Sequence, residues 1–298
     1  MESRSIAIVG LGQMGVRYAQ RFIDAGCRVV VWNRNPARAE ALIEAGAVAA
    51  ESVAEAIAAA DIVIAALENS AAFEATVLST EALRRMTPRH VIIDTSTVHP
   101  DSARQAAAVL AKHQARYIDA PVSGGTRGAA EGTLTILVGA NAEEFEQILP
   151  VLMVLGKPHL LGPTGAGQIA KLVNQTITAV TIGAVGEGLY LAKRAGLDPA
   201  QLLSTLQGGF ADSRILREHG ARMVRGDFTP GAANRIFLKD LNAIAALAQD
   251  VSTALPLTAR IRDAYAELIA AGHGEQDHSS YFNYLALPAT RQDAEPSE

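Results

Sequence analysis

The chain has 298 residues and a formal net charge of −5, and 49% of its residues are hydrophobic, which suffices for one large core or two ordinary ones. Its basic residues are scattered and form no stripe, which argues against nucleic acid as a partner and favours a small soluble ligand. Cys27 is the only cysteine, so an internal disulfide and a cysteine-based metal cluster are excluded, and we expect no metal site.

The N-terminal residues carry no signal-peptide pattern, because the first strand follows directly after Met1–Arg4. No apolar stretch reaches the ~18 uninterrupted residues that a membrane helix needs. We therefore expect a cytoplasmic protein with no membrane contact. Residues 291–298 have the polar, charged composition of a disordered tail.

A glycine motif follows the first predicted strand, Ser5–Val9, and opens a helix that begins at about Met14. A second strand, Arg28–Trp32, comes after that helix. In this context the first glycine allows a tight turn, the second lets a pyrophosphate approach the backbone, and the third lets the helix pack on the strand. The motif predicts dinucleotide binding by Gly10, Leu11, Gly12, Gln13, Met14 and Gly15.

The residue that follows the second strand distinguishes NAD from NADP, because a carboxylate there would accept a hydrogen bond from the ribose 2′-hydroxyl. Here Trp32 is followed by Asn33 and Arg34, with no acidic residue. The guanidinium of Arg34, aided by Asn33, would pair with a 2′-phosphate. We therefore predict NADP as the preferred cofactor, with NAD possible; the alternative is that Arg34 is simply an exposed arginine after a strand.

Two further strand ends belong to the same predicted edge of the sheet. An apolar strand ends at Leu67 and Glu68, and the next strand, Val91–Asp94, leads into Ser96 and Thr97. Ligands of doubly wound sheets bind at the carboxyl ends of the strands, so we predict cofactor contacts from Leu67, Glu68 and Thr97. The hydroxyl of Thr97 or Ser96 would reach the nicotinamide, or would instead cap the following helix.

A glycine-rich loop around Ser123, Gly124 and Gly125 precedes a helical turn. Free backbone N–H groups in such a loop, with the Ser123 hydroxyl, make a cradle for a carboxylate. Later strands complete an α/β sheet, and the segment 162–165 breaks the chain. We place the domain boundary there, with an α/β domain at 1–162 and an all-helical domain at 163–290.

The segment from Gly167 to Ala195 contains no proline and predicts one helix of roughly 43 Å, longer than a small domain is wide. Lys171 and Asn174 share a face of its first turns with Gln175. Apolar residues occupy the other faces, which predicts a helix surrounded by protein on most sides. A solvated lysine near the helix start is the alternative interpretation of Lys171.

Glycines at 183, 186 and 188 of this helix indicate close approach by another helix, from this chain or from a second subunit. Further along, we expect Phe210–Arg214 and the pair Lys239 and Asp240 to face the cleft. A surface ion pair is the alternative for Lys239 and Asp240.

Five motifs, taken in order, resemble the β-hydroxyacid dehydrogenase family, which includes 3-hydroxyisobutyrate dehydrogenase and 2-hydroxy-3-oxopropionate reductase. The resemblance covers residues 5 to about 285. It implies an N-terminal Rossmann-like α/β domain and an all-α C-terminal domain, joined by a long interdomain helix, and a homodimer or homotetramer. The motifs lie at residues 10–15, 94–100, 119–134, 165–175 and 238–241.

By matching position, the resemblance implies that Lys171 is the catalytic residue and that Asn174 and Ser123–Gly125 hold a substrate carboxylate. It implies that Lys239 reaches both cofactor and substrate. The resulting prediction is an NADP-preferring oxidoreductase that interconverts a small 3-hydroxyacid and its semialdehyde by hydride transfer. Two alternatives stay open: an imine reductase, whose family resembles this one with another residue in place of Lys171, and a non-catalytic NADP-binding protein.

Overall fold

The computed structural model describes residues 5–287, so the predicted tail at 291–298 lies outside the described residues. The chain divides into two compact units, Met1–Asn174 and Gln175–Glu298. The division falls within one continuous helix, Ala166–Arg194.

The first unit alternates strands and helices over most of its length. Its first half contains β1 Ser5–Val9, α1 Gln13–Asp24, β2 Arg28–Trp32, a 3-10 turn Pro36–Ala39, α2 Glu40–Glu44, β3 Val48–Ala49, α3 Val53–Ala58, β4 Ile62–Ala65, α4 Ser70–Thr76, α5 Thr80–Leu83 and β5 Val91–Asp94. Its second half contains α6 Pro100–Lys112, β6 Arg116–Asp119, β7 Val122–Ser123, α7 Gly125–Glu131, β8 Leu134–Gly139, α8 Ala142–Leu155, β9 Gly156–Gly162 and the first turns of α9 Ala166–Arg194.

The strands form one sheet in the order β3-β2-β1-β4-β5-β6-β8-β7, with β9 also paired to β8. Strands β3 to β6 along this path are parallel, and β8 is antiparallel to both β6 and β7. This order confirms the predicted Rossmann-like domain.

Two apolar cores cover the two faces of the sheet, because successive side chains of a strand point to opposite sides. Ile6 and Ile8 of β1 belong to one core, and Ala7 and Val9 belong to the other. Burial on both faces explains why the strands are continuous apolar runs and lack the alternation of a half-exposed sheet.

Helix α8 was not predicted from the sequence. Pro150 lies inside it, and a proline in a helix interior usually indicates a break. The start of α8 is fixed by a capping box, in which the Asn141 side chain accepts the Glu144 N–H and the Glu144 carboxylate accepts the Asn141 N–H.

The second unit is helical throughout its described part, as predicted. After the rest of α9 it contains α10 Pro199–Leu206, a π-helical turn Leu216–Gly220, α11 Ala221–Arg225, α12 Asn234–Asp250, α13 Pro256–Leu268, a π-helical turn Ile269–His273, a 3-10 turn His278–Ser280 and α14 Tyr281–Tyr284.

Of the glycines at 183, 186 and 188 in α9, two are approached by helices of the same chain. A Cβ atom on Gly183 would lie 2.3 Å from Cδ1 of Ile261, and one on Gly186 would lie 3.0 Å from Cδ1 of Tyr281. Gly188 has nothing within 4 Å of that position. The close approach predicted from the glycines is therefore made by α13 and α14 at Gly183 and Gly186.

One face of α9 leaves large apolar side chains exposed. Ile177 is 63% exposed and Leu191 is 69% exposed, and Val173 and Ile169 lie one and two turns before Ile177 on the same face. These four residues are called the exposed α9 stripe below. The chain itself does not cover this face, so for this face the expectation that protein surrounds α9 on most sides stays a prediction.

Asp277 joins three parts of the second unit. Its carboxylate accepts hydrogen bonds from the Gly231 N–H at 3.0 Å and the Ser279 N–H at 3.0 Å, and it pairs with Arg222 at 3.0 Å. Burial alone would raise the pKa of Asp277, but neighbouring His219, His278 and Ser279 hold that pKa well below its usual range. The carboxylate therefore stays ionised as a buried connection between distant segments.

Among the helices in the described part of the chain, none combines the length and the apolar character that crossing a membrane requires.

Candidate active site

The glycine loop between β1 and α1 has two tightly packed positions and one open position. A Cβ atom on Gly10, whose φ is +98°, would lie 2.5 Å from the Ala66 carbonyl oxygen, and one on Gly15 would lie 1.8 Å from the Gly10 oxygen. Gly12 has nothing within 4 Å of its Cβ position. The open side of Gly12, at the N-terminus of α1, fits the pyrophosphate of a dinucleotide.

Side chains from the turn after β2 hold this loop in place. The Asn33 Oδ1 atom accepts the Leu11 N–H at 2.9 Å, and the Asn33 side-chain amide donates to the Asn35 carbonyl oxygen at 2.9 Å. Arg38, which the sequence reasoning missed, donates to the Leu11 carbonyl oxygen at 3.1 Å. Asn33 therefore shapes the loop, whereas Arg34 is exposed at the same turn.

The ends of β1, β4 and β5 lie side by side, because Val9 pairs with Ala65 and Ala65 pairs with Asp94. Beyond them, the Leu67 N–H donates to the Ser96 hydroxyl oxygen at 3.3 Å. The Leu67 side chain also lies against Gly10, at 3.0 Å from its Cβ position. Leu67 is thus next to the glycine loop.

Two predicted cofactor residues, Glu68 and Thr97, follow the ends of β4 and β5. Glu68 is exposed and Thr97 is half-buried. The N-cap of α6 is His99, whose Nδ1 atom accepts the Asp101 N–H at 3.3 Å. The alternative assignment of Ser96 or Thr97 as the cap of this helix is therefore wrong.

Lys171 lies in the second turn of α9, and only 7% of it is exposed, so it is not a solvated surface lysine. One turn earlier, the Gln168 side chain accepts the Val98 N–H at 3.0 Å and donates to the Ser96 carbonyl oxygen at 2.9 Å. These two bonds flank Thr97. Gln168, which the sequence reasoning missed, thereby joins the start of α9 to the loop that carries Thr97.

The loop predicted to bind a carboxylate begins at the end of β7, where Ser123 pairs with Thr135 of β8. Gly124 and Gly125 have φ values of +133° and +64°, and α7 begins at Gly125. A side chain would strain both positions, so glycine is required for this turn. Ser123 is half-buried and Gly125 is exposed, so the loop is accessible from solvent.

Lys239, in the second unit, belongs to a partly buried polar group on α12 and α9. Its Nζ atom lies 3.1 Å from Oδ1 of Asp240, and the Gln175 side chain donates to Oδ2 of Asp240 at 2.7 Å. Only 4% of Asp240 is exposed, so the alternative of a surface ion pair is wrong. Asp240 contacts both neighbours, a role that the sequence analysis did not assign when it placed the pair in the cleft.

The segment Phe210–Arg214 has one exposed apolar side chain, and its two charged side chains form ion pairs. Phe210 is fully exposed. Arg217 pairs with Asp212, and the Arg214 Nε atom donates to the Glu218 carboxylate at 2.9 Å.

Two family models match the chain. Residues 5–176 match the NAD binding domain of 6-phosphogluconate dehydrogenase, and residues 165–285 match the model described as NAD-binding of NADP-dependent 3-hydroxyisobutyrate dehydrogenase. Together they cover both units.

A similar curated protein is the 2-hydroxy-3-oxopropionate reductase of Escherichia coli, which is 35% identical over 96% of this chain and 99% of that protein. A similar solved structure is 3-hydroxyisobutyrate dehydrogenase of Mycobacterium tuberculosis with L-serine, with a TM-score of 0.86, 30% identity, and coverage of 95% of this chain and 99% of that one. An imine reductase from Pseudomonas is more distant, with a TM-score of 0.63, 26% identity, and coverage of 95% and 99%.

Proposed function

The chain belongs to the β-hydroxyacid dehydrogenase family, a family of nicotinamide-dependent oxidoreductases, and from that premise we propose that it interconverts a small 3-hydroxyacid and the matching semialdehyde. The proposed activity is that of an NADP-preferring 3-hydroxyacid dehydrogenase or semialdehyde reductase of class EC 1.1.1.-. The observation that carries this proposal is the buried Lys171, on a helix turn that Gln168 joins to the loop of Thr97.

The glycine loop, with Arg34, Leu67, Glu68 and Thr97, is the proposed cofactor site. Support comes from the open Gly12 position at the start of α1, where backbone N–H groups favour an anion. A bound reduced nicotinamide supplies the hydride for carbonyl reduction. The protein contributes binding, orientation and the proton.

Lys171 is the proposed general acid and base. When hydride reaches a carbonyl carbon, negative charge grows on the oxygen, and a positioned ammonium stabilises that charge and donates the proton. In the oxidation direction the neutral amine accepts the hydroxyl proton. Asn174, one turn further along α9, orients the substrate without competing for the proton, and Lys239, oriented by Asp240, contributes positive charge toward cofactor and substrate.

The turn at Ser123, Gly124 and Gly125 is the proposed carboxylate site. A carboxylate accepts charge-assisted hydrogen bonds from backbone N–H groups and a hydroxyl, and these bonds are stronger than those made to a neutral acceptor. A small acid with a carbonyl or hydroxyl one carbon further on is the substrate class that this arrangement fits.

A panel of small hydroxyacids and semialdehydes, each paired with its methyl ester, tests the substrate class by nicotinamide absorbance. We expect kcat/KM for the best acid to exceed that for its ester by roughly 10–100-fold, because the ester loses the charge that the loop recognises. Equal values for acid and ester would remove Ser123–Gly125 from the substrate site.

Arg34→Ala tests the proposed preference for NADP. The variant is expected to weaken NADPH binding about tenfold, or about 1.4 kcal/mol, while NADH binding changes less than twofold, because only NADPH carries the phosphate that the guanidinium contacts. Fluorescence titration measures both affinities. Arg84→Ala, which removes an exposed arginine beyond α5, is the matched control. A wild-type protein that prefers NADH tenfold would contradict the proposal.

Imine reduction is the second candidate function, favoured by the similarity to the imine reductase fold. Lys171 and the carboxylate loop argue for the hydroxyacid activity, because a neutral imine needs no carboxylate site. Adding a cyclic imine to the panel separates the two. Faster turnover of the imine than of every acid would favour the second candidate.

The exposed α9 stripe supports the homodimer or homotetramer that the family resemblance implies, since several large apolar side chains exposed on one helix face commonly mark a protein interface. Sedimentation of the purified chain measures this directly, and a monomer would contradict it.

A further inference from the structure

Asp119 is a buried carboxylate at the end of β6 that faces the start of α9. One oxygen, Oδ1, accepts the Gly165 N–H at 2.7 Å, and the other, Oδ2, accepts the Gln168 N–H at 2.9 Å. Asp119 itself is fully buried. The first N–H groups of a helix have no partner within the helix, so this carboxylate satisfies two donors that would otherwise lie unpaired in the interior.

Two glycines leave the carboxylate almost no freedom to move. A Cβ atom on Gly139 would lie 2.4 Å from Asp119 Oδ1, and one on Gly167 would lie 2.8 Å from Oδ2 and 2.3 Å from the Leu137 carbonyl oxygen. All three distances are shorter than real Cβ contacts. The helix start, the end of β8 and the carboxylate therefore fit together only with glycine at these positions.

Lys171 follows Gln168 by three residues, so the anchored turn and the turn that bears Lys171 are adjacent on the same helix face. The Gln168 backbone is bonded to Asp119, and its side chain is bonded to Ser96 and Val98. We propose that Asp119 is a positioning residue for Lys171, which fixes the start of α9 so that the ammonium meets the reacting oxygen. This inference rests on the proposed role of Lys171.

Two features of the surroundings oppose the ionised form of Asp119, and backbone N–H donors favour it. Burial raises the pKa of Asp119 to about 6, and the charge of neighbouring Asp94 acts in the same direction, whereas the N–H donors of Gly165 and Gln168 lower the pKa. The ionised carboxylate accepts both N–H groups more strongly than a neutral acceptor would, which favours the charged form at neutral pH.

Asp119→Asn tests the inference, because asparagine has the same shape but replaces one acceptor oxygen with an N–H₂ group. That group cannot accept a hydrogen bond, so one of the two backbone N–H groups loses its partner. The variant avoids burial of a charge, so we expect it to fold. The kcat should fall roughly 10–100-fold, since a misplacement of about 1 Å costs a factor of that order, while the KM for NADPH changes less than threefold. Asp61→Asn, which removes a half-exposed carboxylate just before β4 that pairs with Arg89, is the matched control and should keep wild-type kcat.

A double-mutant cycle with Lys171→Ala separates positioning from a general structural role. If Asp119 acts through Lys171, adding Asp119→Asn to Lys171→Ala should change kcat by less than twofold, because the two residues act as one unit. If Asp119→Asn lowers kcat by the same factor in the Lys171→Ala background as in the wild type, the inference is overturned. A single Asp119→Asn variant whose kcat stays within threefold of wild type would also overturn it.

Amide hydrogen exchange gives a readout that does not depend on activity. The N–H groups of Gly165 and Gln168 should exchange at least tenfold faster in Asp119→Asn than in wild type, and unchanged protection would overturn the anchoring step. If Asp119→Asn melts below the assay temperature, Asp119→Ser is assayed in its place, with the same expectations. A Lys171→Ala variant with normal activity would defeat the proposed role of Lys171 and the positioning role that rests on it, whereas the exchange result tests the anchoring contact separately.

Discussion

Lys171→Ala is expected to lower kcat by roughly 10²–10⁴-fold while NADPH affinity and the melting temperature change little. The ammonium is needed only when charge develops on the substrate oxygen, so its loss raises the barrier of the chemical step. The side chain is buried in the second turn of α9, where alanine is a good helix former, and the helix should stay intact. Steady-state kinetics and NADPH fluorescence titration measure the two effects separately.

Two further variants test the role of Lys171, one at the same position and one as a control. Lys171→Arg should fail almost as severely, because a guanidinium keeps its proton at working pH and cannot act as the base. Lys193→Ala, which removes an exposed lysine from the last turn of the same helix, is the matched control and should keep wild-type kcat. A Lys171→Ala enzyme within threefold of wild-type kcat would make Lys171 a bystander and favour the binding-protein or imine alternatives.

Gly12→Ala is expected to leave folding almost unchanged and to weaken NADPH binding by roughly 10²-fold, about 2.7 kcal/mol. Gly12 has a φ of −74°, which alanine adopts without strain, and its Cβ position has no neighbour within 4 Å. The added methyl group therefore meets nothing in the protein and would meet only the pyrophosphate that approaches the backbone there. Thermal melting and fluorescence titration provide the measurements.

Alanine variants of two further glycines are the references for that result. Gly15→Ala should destabilise the fold itself, because its Cβ would lie 1.8 Å from the Gly10 carbonyl oxygen. Gly274→Ala should affect neither property, since Gly274 has helical angles and only ordinary contacts with Ile269. NADPH binding by Gly12→Ala at wild-type affinity would show that the cofactor does not approach the loop from this side.

The sequence could predict those parts of the fold whose causes are local. The glycine spacing and the apolar runs of β1, β4 and β5 indicated the Rossmann-like domain, because turn geometry and two-sided burial constrain residues close together in the chain. The proline-free segment likewise predicted α9 within a residue at either end. Helix α8 was missed because Pro150 inside it resembles a break.

Residues that act through distant partners could not be predicted in this way. Asp119 bonds to backbone groups 46 and 49 positions away, and Gln168 bonds to Ser96, 72 positions away. No local spacing encodes such pairs, so both were overlooked beside Lys171. The exposed α9 stripe shows another limit, because an apolar helix face has the same pattern whether its own chain or a second copy covers it.

The connection made by Asp277 bears on how the chain acquires its structure during synthesis. Domains generally fold as units, the N-terminal one first. The sheet formed by strands β1 through β9 and the anchoring of α9 by Asp119 involve only residues up to 168. The sheet can therefore form before the later residues are made. Arg222 and Gly231, in contrast, receive their carboxylate only when residue 277 of 298 has been made. The helical unit therefore completes its buried ion pair only after residue 277 has been made, and its earlier helices lack that connection until then.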